Sequence, residues 1–144
     1  INPLMGSDVL KPLLELEHSF AFALALTSNP SAEDFFHKVN MKQQVADWIN
    51  GFDPQRIGAV VGATQSSDLA QMRKLLPGRI FLIPGVGAQG GDLQAVLQHA
   101  IHSKAEPRIL INSSRGIIFA GKGNDFAAKA AEAARDLYLA CKDI

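Results

Sequence analysis

The chain is organised around one glycine-rich stretch, Pro84-Gly85-Val86-Gly87-Ala88-Gln89-Gly90-Gly91-Asp92. A short apolar run, Ile80-Phe81-Leu82-Ile83, precedes it, and an amphipathic segment that begins at Leu93 follows it. Four glycines in seven positions allow positive φ angles and a close approach of the backbone to a ligand. Free N–H groups in a glycine loop before a helix attract anions. The stretch therefore predicts a strand, a phosphate-binding loop and a helix.

Outward from this stretch, the same order of strand, loop and helix occurs four times, after a leading helix. Largely apolar runs, typical of parallel strands buried on both faces, predict strands over 20–26, 57–61, 80–83 and 108–111. Helical spacing of apolar residues predicts helices over about 8–18, 32–49, 66–76, from 93 onwards and 126–141, with a break allowed near Asn40. Repeated βα units imply parallel strands and right-handed crossovers, so the predicted fold class is α/β.

Capping residues mark the boundaries of these helices. Ser7, Asp92 and either Asn124 or Asp125 are predicted N-caps. Pro77-Gly78 is predicted to end the helix over 66–76. The side chains of the last helix that are predicted to face the core are Phe126, Ala130, Ala133, Ala134, Leu137 and Cys141.

Polar or glycine-rich loops follow the strands, at the edge where ligands bind in α/β barrels and in open α/β sheets. The loop over 84–91 offers backbone donors and the Gln89 amide. The loop over 112–116 follows the next strand and offers Arg115, a permanent cation whose planar fork suits a phosphate. The loop over 27–30 offers Ser28 and Asn29, which could hydrogen-bond the polar edge of a flat heterocycle.

Each loop also has a purely structural interpretation. Glycine-rich turns occur without ligands, a single arginine is more often a surface or structural residue, and Thr27-Ser28-Asn29-Pro30 has the composition of an ordinary turn. The combination is more specific than its parts. A glycine loop and Arg115 that follow consecutive strands together favour a bound phosphate.

Composition excludes several classes of function. The 144 residues, 47% hydrophobic and 19% charged, suit one globular unit, and the zero net charge does not indicate a nucleic-acid or membrane-surface partner. The longest apolar run, Phe20 to Leu26, is too short to span a bilayer. Cys141 is the only cysteine, which fits a reducing compartment, and the histidines form no evident zinc site. Because the chain opens at Ile1 on Asn2-Pro3, we interpret it as a piece of a longer protein.

Three motifs, in this order, resemble orotidine 5′-phosphate decarboxylase of the second, bacterial-type subgroup. They are Val61-Gly62-Ala63-Thr64, the stretch over 84–92, and Asn112-Ser113-Ser114-Arg115-Gly116-Ile117. The opening, Asn2 to Asp8, and the loop over 27–30 are also similar to that family. The resemblance implies a TIM (β/α)8 barrel. Residues 1–144 would be a single unit that holds its C-terminal half, the end of strand 4 and then βα units 5 to 8, with the front half absent from the sequence.

The resemblance also implies a function, the decarboxylation of orotidine 5′-monophosphate to UMP in de novo pyrimidine biosynthesis. The family needs no metal or organic cofactor, and a cytoplasmic homodimer is expected. The catalytic Asp-x-Lys-x-x-Asp signature would lie upstream of Ile1, so no catalytic residue is expected in this chain. The implied substrate-binding residues are Ser28 and Asn29 near the base, and Pro84, Gly85, Gln89, Gly90, Gly91, Ser114 and Arg115 near the phosphate.

Two alternatives remain open at this point. One is a related phosphate-binding barrel with different chemistry, such as a sugar-phosphate decarboxylase or aldolase. The other is a non-catalytic half-barrel that only binds phosphate compounds or pairs with another chain, because a half-barrel exposes a strand edge. Residues upstream of Ile1 would separate the first alternative from the decarboxylase, and the mass of the intact protein would address the second.

Overall fold

Parallel strands in sequence order form the sheet of this protein. A computed structural model describes residues 1–34, 39–62, 66–86 and 92–142. Within these residues one four-stranded sheet has the order β1-β2-β3-β4, and every neighbouring pair is parallel. The strands are β1 (Ala21–Leu26), β2 (Ile57–Val61), β3 (Phe81–Pro84) and β4 (Ile109–Asn112). The four predicted strands are therefore confirmed to within one residue at each end.

Helices follow each strand and cover the sheet. The α-helices are α1 (Lys11–Leu14), α2 (Met41–Asn50), α3 (Ser66–Leu75), α4 (Leu93–His99), α5 (Arg115–Ile118) and α6 (Phe126–Ala140). Short 3-10 helices cover Pro3–Met5, Ser7–Leu10 and Pro30–Asp34. Helix α3 contacts both α2 and α4, so these three helices form one layer along the strands. A parallel sheet in sequence order with helices in one layer is the architecture of half an α/β barrel.

The core lies between this helical layer and the first three strands. Its fully buried large side chains come from both layers: Ile57, Val61, Phe81 and Ile83 from the sheet, and Ile49, Leu69, Met72 and Val96 from the helices. Along β1 buried and half-buried residues alternate up to Ala25, so the second face of the strand is covered only in part. The prediction of strands buried on both faces is therefore met on the helical side and only in part on the other.

Ile1 adds one rung to the free edge of β1. Its amino group donates to the Phe22 carbonyl at 2.7 Å, and the Leu24 amide donates to the Ile1 carbonyl at 2.9 Å. Bonds from one residue to both neighbours of its partner are the pattern of a parallel ladder. Ile1 therefore occupies the place of a strand residue parallel to β1, as the prediction of a strand end at the start of the chain requires.

The first predicted helix is wrong in its extent. Instead of a helix over 8–18, a 3-10 turn leads into α1, which ends at Leu14. The Arg56 guanidinium donates to the carbonyl oxygens of Leu13, Leu14 and Leu16, at 3.3, 3.2 and 2.7 Å. These carbonyls accept hydrogen bonds from the side chain of a distant residue. The helix ends there, and the chain continues into β1.

The predicted cap of that helix is also wrong. Ser7 is the first residue of the 3-10 helix Ser7–Leu10, and the residue at the N-cap is Gly6, which has no capping side chain. The Ser7 hydroxyl oxygen instead accepts a hydrogen bond from Trp48 Nε1 at 3.0 Å. A serine near a helix start thus serves a long-range contact, which local spacing does not reveal.

The predicted break near Asn40 is confirmed. Asn40 has φ 51° and precedes α2 as its N-cap in a left-handed conformation. Such a φ angle is tolerated by asparagine more readily than by most residues and interrupts a right-handed helix. Residues 35–38, which the predicted helix over 32–49 also includes, lie outside the described residues.

The last helix departs from its prediction at Phe126. This side chain was predicted to face the core but is 60% exposed, and the other predicted inward residues of α6 are only half-buried. Farther along the helix, Ala134, Leu137 and Cys141 line an open groove between α6 and the free edge of β4, a cavity of about 500 Å³. Its lining is almost entirely apolar: Pro107, Ile109, Leu110, Ile111, Ala134, Leu137, Tyr138 and Cys141. Partial burial in this groove raises the pKa of the Cys141 thiol.

Candidate functional site

Two segments meet at the carboxyl edge of the sheet. Because β3 and β4 are parallel and Pro84 lies opposite Asn112, the chain leaves both strands at the same level. The segments enclose a small cavity of about 60 Å³. Its lining residues are Pro84, Gly85, Val86, Asn112, Ser113, Ser114 and Arg115. The structure therefore brings four of the predicted site residues together: Pro84, Gly85, Ser114 and Arg115.

Gly85 is required by its backbone conformation. Its φ angle is 92°, a region that side-chain-bearing L-residues rarely adopt, and the residue is buried. Gly85 directly follows β3. Residues 87–91, which include the predicted site residues Gln89, Gly90 and Gly91, lie outside the described residues. The roles assigned to those three residues stay predictions.

Arg115 lies at the rim of the cavity on a short helix. The sequence predicted a loop over 112–116, and this is wrong in detail, because α5 begins at Arg115. The amides of Ile118 and Phe119 donate to the carbonyls of Ser114 and Arg115, which closes the helical turn. The side chain of Arg115 is exposed, and among the residues that the structure describes its guanidinium has no hydrogen-bond or ion-pair partner. Its donors are therefore available to a ligand in the cavity.

Asp92 anchors the far end of the glycine-rich stretch. Its carboxylate accepts a hydrogen bond from the Gln94 amide at 2.8 Å, so it caps α4 as predicted. The predicted helix from Leu93 onwards is also confirmed, and Val96, Leu97 and Ala100 are buried. The stretch is thus held at both ends, by β3 before Gly85 and by the capped helix after Asp92.

Ser28 and Asn29 lie on the same edge of the sheet but not in this cavity. They follow β1, and the cavity follows β3 and β4, so β2 stands between. Three strand spacings separate β1 from β4, roughly 14 Å along a flat sheet. Ser28 is half-buried and Asn29 is exposed. The predicted base-contacting residues and the predicted phosphate-contacting residues therefore form two separate parts of one edge.

Sequence reasoning missed three contributors to the cavity, Val86, Asn112 and Ser113. Asn112 and Ser113 directly precede the predicted Ser114 and Arg115, and Val86 directly follows Gly85. The signal that could have identified Asn112 is strand register, because the residue paired with Pro84 must lie at the same edge. The register of two parallel strands is a property of the pair, so the sequence of either strand alone does not predict it.

A buried ion pair joins the two helices that follow β1 and β2. Lys42 Nζ lies 2.8 Å from Asp68 Oδ1 and 2.9 Å from Gln71 Oε1, and both charged residues are more than nine-tenths buried. Asp68 lies in the first turn of α3, and its ion pair with Lys42 is a contact that the sequence did not predict. The pair ties α2 to α3 across the layer.

Other kinds of site find no support in residues 1–34, 39–62, 66–86 and 92–142. No three His, Cys, Asp or Glu side chains in these ranges lie close enough together to hold a metal ion. None of the helices in the same ranges combines the length and apolar character that crossing a membrane requires.

Comparisons with known proteins identify the family of this chain. Residues 1–131 match the model of the Orotidine 5'-phosphate decarboxylase / HUMPS family. The orotidine 5'-phosphate decarboxylase of Halorubrum lacusprofundi is 41% identical over 136 residues, which cover 85% of this chain and 48% of that protein. The Flavobacterium johnsoniae enzyme of the same name is 40% identical over 142 residues, covering 93% of this chain and 50% of that protein. The chain thus spans about half the length of the curated relatives it matches.

Solved structures show the same fold. Leishmania donovani UMP synthase superimposes with a TM-score of 0.75 at 34% identity, over 95% of this chain and 31% of that chain. Leishmania donovani OMP decarboxylase superimposes with a TM-score of 0.72 at 30% identity, over 96% of this chain and 55% of that chain. The half-barrel fold is therefore shared with these proteins. Since the family model matches nearly the whole chain, the chain belongs to the Orotidine 5'-phosphate decarboxylase / HUMPS family.

Proposed function

We propose that this chain supplies the phosphate- and base-binding loops of an orotidine 5′-phosphate decarboxylase, which converts orotidine 5′-monophosphate to UMP and carbon dioxide. One observation carries the proposal within the family. The segment after β3 and the segment after β4 share a cavity that has Gly85 on one side and Arg115 on the other. Backbone amides next to a planar, permanently charged guanidinium are complementary to a phosphate dianion.

The spacing along the edge fits a nucleotide. With the phosphate in the cavity, the sugar and base would extend across β2 and β3 towards Ser28 and Asn29, over roughly three strand spacings or less once the sheet curves. The Ser28 hydroxyl and the Asn29 amide can both donate and accept hydrogen bonds, which suits the alternating polar edge of a pyrimidine. Gln89 would join the two parts by bridging phosphate and base when the glycine-rich stretch closes.

The phosphate is remote from the carbon that loses carbon dioxide, and this distance has a catalytic use. Binding energy gained at a non-reacting group can hold the loops closed and so stabilise the transition state elsewhere in the site. In this proposal the grip by Arg115 raises the rate although no bond to the phosphate changes. The lysine and carboxylates that act on the reacting carbon would come from strands outside residues 1–144, and the reaction would use no cofactor.

The free edge of β4 is where the remaining strands would join. Leu110 is 52% exposed, and the adjoining groove under α6 is apolar and of a size that another strand could fill. Since the chain spans about half the length of its relatives, we propose that a second set of four strands closes the barrel there and beside Ile1. The complete enzyme would act in the cytoplasm as a homodimer.

The test is decarboxylation by the full-length gene product. Orotidine 5′-monophosphate labelled with carbon-14 in its carboxylate should release labelled carbon dioxide, with the same rate after treatment with a metal chelator. The Flavobacterium johnsoniae enzyme serves as the positive control under identical conditions. No release above background from a folded protein, alongside normal release from that control, would contradict the proposed function.

A further inference from the structure

Gly62 stands directly behind the loop that carries Ser28. It is the first residue after β2, it is buried, and its amide donates to the Leu26 carbonyl at 2.9 Å. A β-carbon placed on Gly62 would lie 2.8 Å from the Ser28 nitrogen and 2.9 Å from both its α- and β-carbons. Real β-carbons do not approach other atoms so closely, so the loop occupies space that any other residue at position 62 would need.

The conformation of Gly62 is not the reason for a glycine here. Its φ angle lies outside the left-handed region, so any L-residue could adopt the backbone. Glycine is therefore required at position 62 for steric reasons alone, because the backbone of Ser28 occupies the space of a β-carbon. Two backbone atoms of Ser28 are involved, so a rotation of the serine side chain cannot relieve the contact. An added methyl group must displace the loop over 27–29 or part of the sheet.

From this contact we infer that Gly62 is a positioning residue that sets the place of Ser28, and through it the recognition of the pyrimidine base. The inference rests on the proposed function, because it takes Ser28 as the residue that contacts the base. Gly62 touches no substrate in this account. Because Gly62 has no side chain, the turn after β1 packs directly against the end of β2. The hydrogen bond from the Gly62 amide to the Leu26 carbonyl stabilises this contact.

Gly58 on the same strand provides the contrast. A β-carbon on Gly58 would meet the Ile80 carbonyl and the rings of Phe22 and Phe20, which belong to the sheet and its packing. Substitution at 58 should therefore lower the stability of the protein without a specific effect on the base. Gly123 is the neutral control, because a β-carbon there would meet only Asp125 Oδ1, at an ordinary 3.4 Å.

The experiment measures binding of UMP and of ribose 5-phosphate to the full-length protein by calorimetry, because only UMP carries a base. Gly62→Ala should raise the dissociation constant of UMP about five- to tenfold, the loss of roughly one hydrogen bond, and leave that of ribose 5-phosphate unchanged. Ser28→Ala should do the same, and the double variant should be no weaker than either single variant, because the displaced serine has no contact left to lose. Gly123→Ala should bind both ligands normally.

Other results would contradict either the positioning role of Gly62 or the proposed function. If Ser28→Ala weakens UMP binding but Gly62→Ala does not, or if their effects add fully, Gly62 does not position Ser28. Equal weakening of both ligands by Gly62→Ala, or failure of that variant to fold, would show that the sheet absorbs the clash, and it would overturn the inference. If the native protein binds neither ligand, or if Ser28→Ala is without effect, the proposed function of the site fails first.

Discussion

The two edges of the sheet use arginine in opposite ways. At the amino edge, where the strands begin, Arg56, Arg73 and Arg79 donate to backbone carbonyl oxygens of neighbouring segments. At the carboxyl edge Arg115 lies exposed beside a cavity, with no such carbonyl contact among the described residues. The same side chain therefore holds the fold together at one edge and is available to a ligand at the other.

The amino-edge arginines fill positions where strand and helix ends leave carbonyls without partners. Arg79 is 3% exposed and donates to Ile57 at 2.9 Å and to Phe52. Arg73 donates to Ala100 at 2.7 Å, and its guanidinium carbon lies 3.7 Å from the centre of the Phe81 ring. Burial, together with the charge of Arg108, lowers the pKa of Arg73 to about 10. These cations lose hydration to satisfy the backbone, which is a structural role.

The contrast teaches that topology, and not residue type, separates structural from functional arginines in this fold. In α/β barrels the carboxyl edge carries function and the amino edge carries stability. The account predicts that substitutions at the two edges have separable effects, one on activity and one on unfolding.

Arg115→Ala should lower kcat/KM for orotidine 5′-monophosphate at least about 100-fold, about 2.7 kcal/mol, because a charge-assisted contact to phosphate is lost. The unfolding midpoint in urea should not change. Arg135→Ala, on the exposed side of α6, is the matched control and should leave both quantities unchanged. A loss below about tenfold, about 1.4 kcal/mol, would mean that Arg115 does not grip the phosphate.

Arg79→Met should lower the free energy of unfolding by about 2 kcal/mol, since the buried carbonyls of Ile57 and Phe52 lose their donor. The activity of the folded fraction should stay within about twofold of the native value, a margin of roughly 0.4 kcal/mol. Urea unfolding and initial rates on the same preparation give both numbers. Should Arg79→Met reduce kcat/KM as strongly as Arg115→Ala while stability holds, the division between the two edges would be wrong.

Asp92→Ala should cost about 1 kcal/mol of stability, because the hydrogen bond from the Gln94 amide is lost at the start of α4. Asp125 is the matched control, since it also stands at an N-cap but makes no capping hydrogen bond with its side chain. Asp125→Ala should therefore have no measurable effect on urea unfolding. Equal destabilisation by both variants would show that a negative charge near the helix start, and not the capping hydrogen bond of α4, determines the loss of stability.

How far the sequence could anticipate this structure depends on the range of each interaction. The strands were predicted because apolar runs such as the one over 57–61 are local signals, and Asp92 was recognised as a cap for the same reason. Gly85 and Arg115 were recognised because each follows a strand, and parallel strands place their ends at one edge.

What the sequence could not give are contacts between distant residues and the covering of surfaces. Arg56 lies 40 residues or more from the carbonyls that it bonds at the end of the first helix. Gly62, which follows β2, contacts Ser28, which follows the neighbouring strand β1. Phe126 was misplaced because an amphipathic stripe predicts which face of a helix is apolar but not whether anything covers it. Farther along α6, a groove that stays open beside β4 leaves Leu137 and Cys141 half-buried.

A structure of the full-length protein with UMP bound tests the central claim most directly, because it locates the phosphate. The account predicts phosphate oxygens about 2.7 to 2.9 Å from the Arg115 guanidinium nitrogens, inside the cavity between Gly85 and Ser114, with the base directed towards Ser28. A phosphate bound outside that cavity, with Arg115 making no contact to it, would contradict the account.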